Sequence, residues 1–97
     1  MAQSYRKIEA VRKAAEILKY LANEKGIVNG SEIAKAVALP MGTVMCHMAT
    51  LEELGFVARI GDGYKLGMGL ALMWARVKSG LEGERDRVER DLQIIEG

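Results

Sequence analysis

The chain has one cysteine, one proline and one histidine in 97 residues. A single Cys46 excludes an internal disulfide and suits a reducing cytosol. It also leaves no second thiol for a zinc site. Its neighbour His47 lies about 100° round a helix from it, so the two do not make a nucleophile–base pair; His47 reads as a boundary residue. Long apolar runs are missing too. Leu66 to Ala75, the longest nearly uncharged stretch, is about half of the ~20 residues that span a bilayer. The opening MAQSYRK lacks the apolar core of a signal peptide. Gly61-Asp62-Gly63 and Gly67-Met68-Gly69 lack the second βαβ strand and downstream acid of a dinucleotide fingerprint. The carboxylates fall mainly on exposed helix faces and in the tail. These absences predict a cytoplasmic protein with no membrane partner, no metal, no cofactor and no enzyme activity.

A strong net charge of one sign is also lacking, since the total is +1. Its distribution is uneven: +3 over 1–25, −2 over 26–55, +3 over 56–79 and −3 over 80–97. For nucleic-acid binding the local patch matters more than the total.

What is present centres on Ser31 to Phe56, which reads as two helices joined by a tight turn. Asn29, three residues before Glu32, resembles a capping box. The first of the pair runs to about Val37 and buries Ile33, Ala34 and Val37. Ala38 and Leu39 turn the chain, and Pro40 suits the first position of the next helix. That helix, Pro40 to about Leu54, turns Val44, Met48 and Leu51 inward at i, i+4 and i+7. It presents Met41, Gly42, Thr43, Met45, Cys46, Ala49 and Thr50 outward. Gly55 stands where a left-handed cap is expected.

Before this pair, Ser4 is the expected cap of an amphipathic helix ending near Asn23. Its expected buried face is Ile8, Val11, Ala15, Leu18 and Leu21 or Ala22. Ile27 and Val28 suit a very short strand or a buried loop. After the pair, Phe56 to Ile60 and Tyr64 to Leu66 form a hairpin about Gly61-Asp62-Gly63, for which Asp-Gly is the turn signal. Arg59 and Lys65 flank its tip; they suit phosphate contacts and equally a plain solvated hairpin. Met68 to Ser79 is helical. Gly80 and Gly83 predict a bend or break, followed by a charged helix with Val88, Leu92 and Ile95 along one stripe. The expected architecture is mainly α with a small β-hairpin: a winged helix-turn-helix over 1–79 and a C-terminal linker or dimerisation helix over 80–97.

From Val11 to about Leu72 the chain resembles the winged helix-turn-helix domain of IclR-type bacterial transcriptional regulators. The resemblance rests on ILKYLA (17–22), EIAKAVALP (32–40), TV (43–44), ATLEELGFV (49–57) and YKLGMGLALM (64–73). It implies a sequence-specific, homodimeric regulator that binds double-stranded DNA. Met41, Gly42, Thr43, Met45, Cys46, Ala49 and Thr50 would face the DNA. Lys13, Lys35, Arg59 and Lys65 would contact phosphates, and Val88, Leu92 and Ile95 would serve dimerisation. Family members usually carry polar and basic residues where this chain has Met41, Gly42, Met45 and Cys46. They also continue into a ligand-sensing domain, so neither charged base readout nor an effector domain is expected here. Two other functions suit the same residues: a protein-interaction module using the apolar face of the Pro40–Leu54 helix, and a subunit that competes with a full-length relative.

Overall fold

The structure, a computed structural model, describes residues 4–97. Its elements follow in the order α1 (Glu9–Asn23), β1 (Val28–Asn29), α2 (Gly30–Val37), α3 (Met41–Glu53), β2 (Val57–Ile60), β3 (Gly63–Leu66) and α4 (Gly69–Glu96). This is the winged helix-turn-helix architecture with a C-terminal helix.

The first helix starts later than expected. Ser4 is not its cap; Ile8 is, with an extended backbone and no side-chain hydrogen bond. Ile8 and Val11 are exposed, so burial does not reward winding the chain earlier. The helix buries Ile17 and Leu21, with Ala14, Leu18 and Tyr20 packed against the core. α1 therefore carries two apolar stripes. The expected one, Ile8, Val11 and Ala15, lies beside the stripe that meets the core.

α2 begins as its sequence dictates: the Asn29 side chain accepts a hydrogen bond from the Glu32 N–H at 2.9 Å, satisfying one of the helix's orphan donors. It ends at Ala38, whose φ of 55° is left-handed, and the Leu39 N–H bonds back to the Ala34 carbonyl at 3.1 Å. Pro40 is the cap of α3 rather than its first helical residue, with ψ at 148°. A proline restricts the residue before it to extended backbone and cannot continue a helix. The bend between α2 and α3, 108°, lies within the range of helix-turn-helix units. Val44, Met48 and Leu51 point inward from α3 as the spacing requires.

The sheet has three antiparallel strands in the order β1-β3-β2. Val28 and Asn29 supply the edge strand, pairing with Tyr64 and Gly63. The hairpin is present, but its turn is Gly61-Asp62, closed by the Ile60–Gly63 pair. Gly61 carries the positive φ, 60°, as the first position of such a two-residue turn requires. Gly63 sits within β3, where a side chain would collide with Ile27.

The core is one cluster: Ile17, Leu21, Val28, Ile33, Val37, Val44, Met48, Leu51, Val57 and Tyr64. α4 contributes no buried residue to it. Its root is fixed by the Gly69 N–H, which donates to the Gly55 carbonyl at 2.9 Å. From there it runs as one helix through Gly80 and Gly83, so the expected break is not there.

Candidate nucleic-acid interface

The interface is built on α3, the helix that α2 holds out. Val44, Met48 and Leu51 anchor one side of it in the core, and the opposite side is open. Gly42 and Ala49 lie there, exposed, with the exposed Thr43 at its edge. Met41 and Met45 are partly exposed, at 47% and 38%. Their side chains flank Gly30 at the start of α2: a Cβ on Gly30 would lie 2.8 Å from Met41 Cε and 3.2 Å from Met45 Sδ. The small residue at the head of α2 thus lets two thioethers lie over it.

Cys46 and Thr50 stand on the other flank of α3. With His47, Leu51 and Leu54 they form one wall of a groove of ≈ 540 Å³ whose other wall is Ala10, Val11, Ala14, Ala15 and Leu18 of α1. Thr50 donates its hydroxyl to the Cys46 carbonyl at 3.0 Å. His47 Nδ1 lies 2.9 Å from the Thr43 carbonyl, so Nδ1 carries the proton and donates it. Nε2 is buried without a partner. The outward set read from helical spacing is therefore divided between an open face and a groove. Spacing alone cannot show this division, because it depends on where α1 crosses.

The basic residues are not equivalent. Lys13 donates to the Val37 carbonyl at 2.7 Å and pairs with Glu16 at 3.3 Å, its side chain 19% exposed. It closes the C-terminal end of α2, where a cation meets orphan carbonyls and the negative end of the helix dipole. The sequence offers no signal for this, since the partner lies 24 residues on. Lys35 is exposed in the last turn of the same helix. Arg59 pairs across the hairpin with Tyr64, and Lys65 with Ala58. Directly opposed residues share a face of a sheet, so Arg59 and Lys65 project from opposite faces of the wing. Lys65 borders a cleft with Glu24, Lys25 and Gly26 instead. Near it, burial and then the Glu24 carboxylate raise the Tyr20 phenol above its ordinary pKa. Among the described residues no group of three metal-ligating side chains occurs, and no single helix is long and apolar enough to cross a membrane.

A helix held at 108° by its predecessor and followed by a hairpin defines a winged helix-turn-helix domain. Residues 10–61 match the model of the IclR helix-turn-helix domain. The chain belongs to that family. None of the curated proteins matches it. Among solved structures it is similar to an IclR family transcriptional regulator from Brucella abortus, at 24% identity and a TM-score of 0.64. That likeness covers 70% of this chain and 27% of the Brucella chain, so the matched part spans about a quarter of that protein's length.

Proposed function

We propose that the protein is a sequence-specific DNA-binding transcriptional regulator that acts in the cytoplasm as a homodimer, by binding rather than by catalysis. The observation that carries this is α3, exposed along one side and held out by α2 in a chain of the IclR helix-turn-helix family. Met41, Gly42, Thr43, Met45 and Ala49 face the major groove, while Lys35 and Arg59 contact phosphates. Backbone N–H groups at helix starts add to the phosphate contacts. The open side of α3 has no Arg or Lys for the bidentate guanine contact. Its thioethers and methyl groups suit thymine methyls instead, so specificity is modest and biased toward T-rich half-sites. Two copies associate through α4, with Val88, Leu92 and Ile95 at the contact, and read half-sites about one or two helical turns apart.

The test is selection from a random duplex pool at low salt, followed by Met45→Ala and Arg59→Ala on selected and random DNA. Arg59→Ala should weaken both about equally. Met45→Ala should change the preference between them. Failure to enrich any sequence would favour a protein-interaction module, a reading supported by the same cation-free, methionine-bearing face.

A further inference from the structure

A Cβ on Gly67 or Gly69 would press on the Gly55 carbonyl, which is backbone and has no room to give. Gly30 is different. The three atoms nearest the place of its missing Cβ are the far ends of two flexible side chains: Met41 Cε at 2.8 Å, Met45 Sδ at 3.2 Å and Met41 Sδ at 3.7 Å. The backbone does not call for glycine here either. Positive φ among the described glycines belongs to Gly55, Gly61 and Gly97. Gly30 is the first residue of α2, and glycine weakens a helix relative to alanine. What the absent side chain leaves is a seat, and both methionines of the exposed side of α3 lie in it.

The seat is fixed from its other side. Asn29, immediately before it, accepts the Glu32 N–H at 2.9 Å and pairs with Gly63 in the sheet. Gly30 is itself buried, so it reaches no base. Met41 and Met45 keep part of their surface exposed. A methionine is unbranched and adaptable, and a free one presents no single shape. Held at one end against the head of α2, it has less freedom to lose on binding and shows a defined apolar relief. We infer that Gly30 is a positioning residue: by seating Met41 and Met45 it sets the base preference of α3 without touching DNA. This deepens the DNA-binding reading above and rests on it.

The test starts from a site selected out of a random duplex pool, and reads the ratio of affinities for that site and for random DNA. Gly30→Ala should lower the ratio at least about twofold, the low end for coupling between residues in contact. Affinity for random DNA and the melting temperature should be kept, because the added methyl meets only side-chain ends. A tilt of α3 would instead weaken both DNAs together. In a Met41→Ala/Met45→Ala chain the same Gly30→Ala change should have no further effect, since no long side chain remains to be displaced. In the free protein with isotope-labelled methionine methyls, Gly30→Ala should move the Met41 and Met45 signals and leave those of Met68 and Met73 in place. An unchanged ratio, an equal change in the Met41→Ala/Met45→Ala chain, unmoved methyl signals or a lost fold overturns the seat and leaves the DNA-binding reading standing. A pool from which no sequence enriches overturns both.

Discussion

At the scale of single residues, charge alone says little about role. Six lysines and arginines precede Gly26, and one of them, Lys13, ties α1 to the end of α2. A charge-assisted hydrogen bond to an orphan carbonyl contributes about 1.5–3 kcal/mol, whereas its partly exposed pair with Glu16 adds little. Lys13→Met should therefore lower stability by about 1–2 kcal/mol in urea melts, and Glu16→Gln by less than about 0.5. If Lys13→Met left stability untouched but weakened DNA binding, its ammonium would be a phosphate ligand after all. In α3 the inward residues, Val44, Met48 and Leu51, were legible from spacing. Val44 and Leu51 are buried, so Leu51→Ala should cost roughly 2–5 kcal/mol and Val44→Ala should fall at the low end of that range. Thr43→Ala, on the exposed side, should leave the melting temperature nearly unchanged. A loss of fold in Thr43→Ala would mean that α3 is rotated from the position described.

Elements were legible where local chemistry decides them. Asn29 at the head of α2, Pro40 at the start of α3 and the Gly61-Asp62-Gly63 stretch each fix the chain through their own neighbours, although Pro40 caps α3 instead of opening it and Gly63 falls inside β3 rather than in the turn. The start of α1 was not, because its expected face, Ile8 and Val11, is exposed in the described chain. A helix can carry two apolar stripes, and periodicity does not say which one meets the core. Gly80 and Gly83 misled for another reason. Glycine costs a helix about 1 kcal/mol relative to alanine, but it does not forbid one. The residues between and after them, Leu81, Glu82, Glu84 and Arg85, include strong helix formers. Apart from chain neighbours and the helix's own backbone, neither glycine has an atom within 4 Å of where a Cβ would stand. Gly80→Ala and Gly83→Ala should each therefore stabilise α4 by about 1 kcal/mol, seen as higher helicity and slower amide exchange between 78 and 86. A drop in helicity would show that a bend there is required. Ending the chain after Ser79 should leave the core melting as before, since no α4 residue is buried in it, and should weaken self-association. A truncated chain that remained a tight dimer would place the main contact elsewhere.

For the whole molecule, the net charge of +1 means that DNA affinity must come from a few placed cations. Four candidates stand out in the sequence, yet the fold separates them. Lys13 is held by Val37 and Glu16. Lys65 projects from the wing face opposite to Arg59. Lys35 and Arg59 remain as exposed side chains on the two elements that flank α3. Each phosphate neutralised contributes about −0.9 to the slope of log K against log salt on duplex DNA. Two per subunit in the proposed dimer would give a slope near −4. Arg59→Ala should move the slope by about two units per dimer, because both subunits lose the contact, while Lys65→Ala should hardly move it. Titrations from about 50 to 200 mM salt resolve the difference, since a slope of −4 costs roughly 250-fold in affinity over that range and a slope of −2 only about 16-fold. Equal effects of Arg59→Ala and Lys65→Ala would mean that the duplex embraces both faces of the wing, and the hairpin would then lie along the groove rather than against one backbone.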